Sequence, residues 1–370
     1  MEKPKIGLDE GDAKIAASEL EKRADDVNVV IKKKSWRAIM LVALAILLLA
    51  MSIVTVAMGA YDISVTEVWR VITINLFGGD VSSIDKLYQT VIWEIRAPRV
   101  VLVILVGAAL ATSGAVYQGA FRNPLVEPFI LGVSAGASLG AALAMVYPNL
   151  LFSAELGAFI FAMASVALAY FLARVDGQTP TVTLVLAGLV ISSVFQAFVS
   201  LLKYVSDDQA LRAITFWTMG GFSFASWESV AQLSIPIIVG VLVLWSLGWK
   251  LNVLSMGDDE ARTLGINPEI LKLILIVTAT LITAIAVSAT GIISWIGLMM
   301  PHAIRMMIGP DNRFVIPGAA LLAGVFLLIC DTLARTLINA EIPISIITSM
   351  LGAPYIFYLL RSKGRLGIGA

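Results

Sequence analysis

Charged and reactive residues are scarce in this 370-residue chain. Only 14% of its residues are charged, against about 25% in an average soluble domain, while 59% are hydrophobic and the mean hydropathy is +0.90. One soluble core cannot bury so many apolar side chains, so we predict an integral membrane protein. The single cysteine, Cys330, excludes an intrachain disulfide, and its apolar neighbours indicate a small core residue. The net charge of zero argues against a nucleic-acid partner.

Two kinds of site are also missing from the sequence. It contains no Gly-x-x-x-x-Gly-Lys-Ser/Thr loop that could hold nucleotide phosphates, so the chain does not hydrolyse ATP by itself. His302 is the only histidine, and without a second histidine or a carboxylate cluster it is a poor metal ligand. Pro301 beside it explains the motif better as a helix kink. We therefore predict no catalytic, metal or cofactor site in this chain.

Apolar segments dominate the remainder of the sequence. A transmembrane helix needs about 20 mostly apolar residues to cross a hydrocarbon core about 30 Å thick. Ten segments approach that length, which predicts an all-α, polytopic membrane protein with ten transmembrane helices per subunit. They cover residues 38–58, 100–121, 129–147, 156–173, 181–202, 230–249, 271–290, 291–308, 314–334 and 342–360.

The basic residues around this apolar domain predict its orientation. They are Lys32, Lys33, Lys34 and Arg37 before the first span, and Arg361, Lys363 and Arg365 after the last. An even number of spans returns the chain to one side, and basic flanks favour the cytoplasm, so we expect a multi-pass protein of the cell membrane with both termini cytoplasmic. Residues 1–35 then form a polar cytoplasmic segment that does not resemble a signal peptide, residues 36–361 the transmembrane domain, and residues 362–370 a cytoplasmic tail.

Residues 255–271 form a polar island between two apolar segments and, by this topology, face the cytoplasm. The pattern predicts two short helices. Asp258 can cap the first, and Gly265 can end it in the left-handed conformation. Asn267 can cap the second, with Pro268 at its first position. Helices this short are marginal alone and need a surface to pack against, although the same spacing also fits a solvated turn.

No predicted span carries an ionisable residue at mid-depth. An ion-coupled transporter usually carries one near the bilayer centre to bind the driving ion. Here Lys272 lies at the cytoplasmic start of a span, and Asp331 with Arg335 lies in the last turns of the ninth, at the i,i+4 spacing of an ion pair. The pattern favours an energy source outside the bilayer, although broken helices could supply carbonyl sites for sodium.

Two features are predicted on the outer side. Arg96 and Arg99 lie at the mouth of the second span, where the positive-inside bias disfavours arginine, so exposed guanidinium groups there could bind carboxylates of a docking protein. Residues 216–222, Phe-Trp-Thr-Met-Gly-Gly-Phe, are too apolar for an ordinary loop and predict a short helix ended by the glycine pair. This helix could cap an external vestibule or act as an interfacial aromatic anchor.

Several ordered segments resemble the permease family of ABC importers for iron-siderophores, haem and cobalamin, often called FecCD. The matching segments are residues 95–99 (Ile-Arg-Ala-Pro-Arg), 123–125, 131–136, 251–266, 297–302, 331–335 and 351–354. Together they span most of residues 38–361. The resemblance implies the type II permease fold of ABC importers, a transport subunit rather than an enzyme, and a homodimer with the solute path along its two-fold axis.

The resemblance also implies partners. Two ATP-binding subunits, which would hold ATP and Mg, are expected beneath the membrane domain, and an extracellular solute-binding protein above it. In that family a Gly and an Ala one helical turn apart, here Gly257 and Ala261, lie in a helix-turn-helix that docks into the ATPase. The ATPase-coupling residues implied within residues 255–270 are Gly257, Asp258, Glu260, Ala261, Arg262, Leu264 and Gly265.

Two further sites follow from the resemblance. Arginines at the positions of Arg96, Arg99 and Arg335 imply docking contacts with glutamates of the binding protein. The turn around Thr181 and Val182 implies a cytoplasmic gate, although Val182 departs from the more polar residue of the family.

The sequence is compatible with three functions. The first is a permease subunit that imports a metal-chelate solute of the iron-siderophore, haem or cobalamin class, driven by a separate ATPase. The second is an ion-coupled secondary transporter acting without an ATPase, and the third is a membrane receptor or structural subunit. The residues along the spans do not identify the solute.

Overall fold

The computed structural model describes residues 35–59, 61, 63–149, 152–174, 178–338 and 340–365. Residues 1–34 of the predicted N-terminal segment and residues 366–370 of the predicted tail lie outside these ranges, so both interpretations stay predictions. The regular elements of the described residues are all helical, and no strand occurs among them. The predicted all-α class is therefore confirmed.

The helices follow one another with short connections. They are α1 (Ser35–Ala57), α2 (Val65–Phe77), α3 (Lys86–Tyr88), α4 (Ala97–Ala120), α5 (Val133–Val146), α6 (Ala154–Ala173), α7 (Thr181–Val205), α8 (Asp208–Met219), α9 (Trp227–Ser246), α10 (Gly248–Leu254), α11 (Asp258–Thr263), α12 (Pro268–Thr290), α13 (Ile296–Ile308), α14 (Asn312–Thr336) and α15 (Ile344–Arg365). A π-helical segment, Gln89–Arg96, joins α3 to α4.

The ten predicted spans coincide with ten apolar helices. Within the described residues, seven helical stretches are long and apolar enough to cross a membrane, and α5, α13 and the first part of α15 are shorter apolar helices. The main difference concerns the predicted span 291–308, which is helical only from Ile296. Gly291 and Trp295 have positive φ values of 70° and 76°, which no residue of a right-handed helix adopts, so the helix is interrupted between α12 and α13.

Small residues hold the centre of the bundle together. α4 contacts α9, α12, α13 and α14. A side chain at Gly107 would meet the backbone of Ala323 at 3.0 Å, and one at Gly114 would overlap the backbone of Gly297. Such close backbone approach is a main source of helix association in lipid, where apolar burial gives little driving force. The small residues of α4 therefore serve packing.

The bundle has two ends with different polar groups. α4 has 24 residues, a length of about 36 Å at 1.5 Å per residue. At the last turn of α4, the Gly119 carbonyl accepts a hydrogen bond from the Ser255 hydroxyl at 3.1 Å. Because Ser255 lies just before α11, we call this the α11 end. At the first turn of α4, Arg99 donates to Asp331 at 2.7 Å, and we call this the Asp331 end. The predicted coupling and docking residues thus lie at opposite ends.

Candidate functional site

The coupling segment contains one short helix, α11, whose end matches the prediction. Gly265 is left-handed with φ 76°, and the Ile266 N–H donates to the Ala261 carbonyl at 2.9 Å, as in a Schellman motif. The start of the helix differs from the prediction. The N-cap is Gly257 rather than Asp258, because the Asp258 carboxylate is engaged by a side chain of α12 instead.

The prediction of a second short helix after α11 is wrong. Asn267 does cap a helix by accepting from the Glu269 N–H at 3.1 Å, and Pro268 does occupy its first position. That helix is α12, which continues for 23 residues to Thr290. The coupling segment is therefore a short helix attached to one end of a long apolar helix.

Charged side chains tie α11 to the first turn of α12 and to the chain before α7. The Lys272 side chain is only 6% exposed, and its ammonium donates to Asp258 at 2.6 Å. The same ammonium lies 3.8 Å from Glu269. The other carboxylate oxygen of Glu269 accepts from the Thr179 N–H at 3.1 Å. No role for Lys272 and Glu269 was predicted from the sequence, and only their i,i+3 spacing in the first turn could have suggested one.

Gly257 and Ala261 face the interior of this chain. Both are buried, and Ala261 has no exposed surface. Direct contact between these two residues and another protein is therefore not available in this conformation, contrary to the expectation. The segment instead exposes two large apolar side chains, Met256 at 68% and Leu264 at 57%. These are the groups that a docking partner could bury.

The other predicted coupling residues lie on the exposed side of α11 or in its link to α12. Arg262, with 48% of its side chain exposed, forms an ion pair at 3.0 Å with Asp259, which was not among the predicted residues and is 91% exposed. Glu260 and Gly265 are also exposed. Because an exposed ion pair contributes little to stability, these charges are free to interact with a partner at small cost.

The predicted gate lies beside the coupling segment. Thr181 and Val182 begin α7 after Pro180, which provides no side-chain cap. Val182 is 72% exposed, and Thr181 is partly exposed. Thr179, just before this helix, donates its backbone N–H to Glu269, so a hydrogen bond connects α12 to the turn.

One face of α7 is exposed along its length and changes from apolar to polar. One row of exposed positions recurs every three or four residues: Val182, Leu186, Leu189, Ser193, Gln196 and Ser200. The apolar side chains of Val190, Val194, Phe198 and Leu201 are exposed beside this row. A glutamine facing lipid would leave its amide without hydrogen-bond partners, which is costly. The polar half of this face is therefore suited to line a water-filled path.

The three arginines predicted to bind a docking protein lie at the Asp331 end but are largely buried. Arg96 is 5% exposed and Arg99 7%, so the expectation of exposed guanidinium groups is wrong. Arg99 donates to Asp331 at 2.7 Å and also to Glu341. Arg335 donates to Asp331 at 3.1 Å, which confirms the predicted i,i+4 pair.

Arg96 and Arg335 also hold the end of α1. Arg96 donates to the carbonyls of Val56 and Ala57 at 2.8 and 2.9 Å, and Arg335 donates to the Met58 carbonyl at 3.3 Å. The last carbonyls of a helix have no intrahelical donors and carry partial negative charge. The two guanidinium groups therefore satisfy the end of α1 while joining it to α4 and α14.

Glu341 is a member of this cluster that the sequence did not reveal. It lies in the link between α14 and α15, and 32% of its side chain is exposed. Burial alone would raise the pKa of its carboxyl, but the hydrogen bonds and positive charge of Arg99 hold that pKa below its usual range. Glu341 is therefore ionised at neutral pH. It lies 242 residues from Arg99 in the sequence, so no local pattern pointed to the pair.

A cavity of about 470 Å³ opens beside the arginine cluster. α8 lines it with Phe216 and Trp217, the end of α12 with Thr290, and the α14–α15 link with Glu341. The predicted short helix is confirmed and ends at the glycine pair, although it begins at Asp208. The lining is mostly apolar and aromatic.

Cys330 and His302, to which no site was assigned from the sequence, both lie inside helices. Cys330 is buried in α14, as predicted. His302 lies inside α13 next to Pro301. Within the part of the chain that the structure describes, no group of three or more His, Cys, Asp or Glu side chains is arranged to hold a metal ion.

Comparison with known proteins identifies relatives over most of the chain. The model of the FecCD transport family matches residues 44–362. The chain is 36% identical over 312 residues to the molybdate import system permease protein MolB of Haemophilus influenzae, covering 84% of this chain and 92% of that protein. It is 39% identical over 330 residues to the hemin transport system permease protein HmuU of Yersinia pestis, covering 87% and 95%.

A solved structure shows the same fold. It is an inward-facing conformation of an ABC transporter assigned to the metal-chelate type, with a TM-score of 0.78 and 34% sequence identity. The match covers 87% of this chain and 98% of the other. The predicted permease fold is therefore confirmed.

Proposed function

Because this chain belongs to the FecCD transport family, it is an ABC importer permease, and we propose that it moves a metal-chelate solute into the cytoplasm. ATP hydrolysis takes place on a separate subunit in this proposal. The main structural support for an ATPase-driven permease is the series of contacts from α11 through Lys272 and Glu269 to the turn before α7. These contacts give a force applied at α11 a direct route to the predicted gate.

The mechanism starts at the exposed surface of α11. When ATP closes the paired ATPase subunits, the cleft that receives Met256 and Leu264 shifts and carries α11 with it. Asp258 pulls on Lys272, so the first turn of α12 follows, and Glu269 transfers the movement to the backbone before α7. The opening at the α11 end then alternates with the opening at the Asp331 end.

A second copy of this chain completes the path. The exposed face of α7 has no partner within the described residues, and its polar half would be costly in lipid. Placing two such faces opposite each other across a two-fold axis encloses a channel lined by Ser193, Gln196 and Ser200. Such a homodimer needs no tight solute site, because a separate binding protein supplies affinity.

The binding protein docks at the Asp331 end, where the arginine cluster lies. Since Arg99 is already occupied by Glu341, a carboxylate of the binding protein reaches it only by exchange with Glu341. The partial exposure of Glu341 makes it the accessible member of the cluster. Docking thereby acts on the α14–α15 link, which lines the neighbouring cavity.

The cavity lining, the hemin permease relative and the metal-chelate type structure support the proposed solute class, whereas the molybdate permease relative does not. Aromatic and aliphatic side chains such as Phe216, Trp217 and Ile342 suit a large, partly apolar chelate better than a small oxyanion such as molybdate. Isothermal calorimetry on the partnered binding protein, with a panel of iron chelates, haem, corrinoids and oxyanions, identifies the solute. Selective binding of an oxyanion would contradict the metal-chelate class.

Site-directed cross-linking tests the ATPase partner. A Leu264→Cys variant should cross-link to the co-expressed ATP-binding subunit, whereas Val81→Cys, exposed in the link between α2 and α3, should not. The native Cys330 is buried and gives little background. Absence of a cross-link from Leu264→Cys in an assembled complex would refute docking at α11.

A further inference from the structure

A second cavity, of about 520 Å³, lies at the α11 end between α1, α4, α10 and α13. Three guanidinium groups line it: Arg37 of α1, Arg122 after α4 and Arg305 of α13. Asp311 is the one carboxylate among its lining residues. No residue of α7 contributes, so the cavity is separate from the face assigned to the solute path. Its walls carry an excess of positive charge.

Arg305 is held by neutral groups. Its Nη1 donates to the side-chain oxygen of Gln118, and its Nη2 donates to the Ala115 carbonyl at 3.2 Å. None of the ion pairs among the described residues includes it. These bonds use two of its five N–H groups, and the end of α4 supplies only partial negative charge. A half-buried cation is thus left without a full counter-charge.

The other two guanidinium groups are only partly neutralised. Arg122 has φ 52°, an uncommon value for a residue with a side chain, and its ion-pair partner Asp258 is 3.9 Å away, beyond hydrogen-bond distance. Arg37 contacts Asp311 at 3.4 Å, but Asp311 is shared with Arg313 at 2.7 Å. N–H donors and positive charge of these guanidinium groups therefore remain available to bind an additional anion in the cavity.

Exposed tryptophan side chains indicate the level of this cavity in the membrane. Trp36, Trp245 and Trp249 are 54%, 47% and 50% exposed at the same end of the bundle. The Trp245 indole donates to the Arg313 carbonyl at 2.9 Å, next to the cavity wall. Exposed tryptophan side chains concentrate at the level of lipid headgroups. Anionic lipids of the cytoplasmic leaflet bind basic pockets between transmembrane helices at that level.

We propose that this cavity binds a phosphate group through Arg122 and Arg305. The phosphate belongs to the headgroup of an anionic phospholipid in the surrounding leaflet, or is a free phosphate anion. A guanidinium group is a planar fork of donors that matches two phosphate oxygens, and Arg305 keeps three N–H groups for this purpose. Such a ligand would bridge α4 and α13 at the end that receives the ATPase. The inference needs only a membrane-embedded chain, not importer function.

Native mass spectrometry tests the site. The full-length protein is reconstituted in vesicles of phosphatidylglycerol and phosphatidylcholine, extracted, and assayed for retained phosphatidylglycerol. Arg122→Ala and Arg305→Gln should each lower its apparent affinity about tenfold or more, the effect expected from losing one charge-assisted contact. Lys250→Ala is the matched control, because Lys250 is exposed on α10 at the same end but does not line the cavity. It should retain the lipid as the wild type does.

Inorganic phosphate distinguishes the two sources. Lipid retention that phosphate does not reduce identifies the headgroup, whereas thermal stabilisation by phosphate in neutral-lipid vesicles, lost in Arg122→Ala, identifies the free anion. Equal retention of phosphatidylglycerol by the wild type and both arginine variants, without such a phosphate effect, would overturn the proposal. An equal loss in Lys250→Ala would do the same, because it would indicate general electrostatic attraction. An effect limited to binding of the ATPase subunit would also overturn it, since the cavity would then receive an acidic side chain.

Discussion

Replacing Lys272 by methionine should separate ATP hydrolysis from transport. The substitution keeps the length of the side chain but removes the ammonium that joins Asp258 of α11 to Glu269 of α12. A charge-assisted hydrogen bond is worth about 1.5–3 kcal/mol, and partial exposure of Asp258, at 28%, places this contact near the lower value. A loss of about 1.5–2 kcal/mol of coupling corresponds to a tenfold to thirtyfold fall in solute moved per ATP hydrolysed.

The assay is performed on the complete complex in proteoliposomes. Uptake and ATP hydrolysis are measured together, so that their ratio reports coupling independently of the amount of active protein. Lys250→Met is the control, since it removes an exposed lysine from the same end of the bundle without breaking an ion pair. Thermal unfolding of the detergent-solubilised subunit reports any loss of stability in either variant.

The outcome separates coupling from general damage. Reduced uptake with nearly normal ATP hydrolysis is the expected result for Lys272→Met, and Lys250→Met should behave as the wild type. A parallel fall in uptake and hydrolysis would indicate a folding or assembly defect instead. An unchanged ratio of uptake to hydrolysis would refute the route through Lys272, even if the subunit were less stable.

Three further predictions concern the rest of the chain. Asp331→Asn leaves Arg99 and Arg335 without their shared buried carboxylate and should destabilise the subunit by about 3–5 kcal/mol, measured by thermal or chemical unfolding. Because the pKa of Glu341 is lowered in the folded protein, its contact with Arg99 stabilises the fold above the unfolded pKa and is lost as the pH falls through the folded one. The difference in unfolding temperature between wild type and Glu341→Gln should therefore disappear in acid. Gln196→Cys should react with a water-soluble thiol reagent in the assembled complex, and lack of reaction would place this face of α7 in lipid.

The positions of the spans could be predicted because they depend on local composition. A run of apolar residues of sufficient length has few alternatives in a bilayer. The end of α11 at Gly265 and the N-cap at Asn267 could also be predicted, because the residues that form these motifs are close together in the sequence. The break between α12 and α13 was missed, since Trp295 adopts a left-handed conformation that its residue type does not suggest.

The polar contacts between distant residues could not be predicted in the same way. Asp258 has the residue type of an N-cap, but Lys272, 14 residues later, binds its carboxylate and leaves the N-cap position to Gly257. The burial of Arg99 depends on Asp331 and Glu341, more than 230 residues away. Local patterns suggested docking arginines, whereas Arg99 and Arg335 bind carboxylates of the same chain and Arg96 binds backbone carbonyls at the end of α1.

The energy source of uptake is the decisive test of whether a separate ATPase drives this permease. Solute uptake is measured in proteoliposomes that contain this subunit, its ATPase and its binding protein, with proton and sodium gradients collapsed by ionophores. Uptake should continue at an undiminished rate when ATP is supplied to the ATPase, and should stop when ATP is withheld. Uptake that needs an ion gradient, or that proceeds without the ATPase, would contradict the claim that this permease is driven through α11 by a separate subunit.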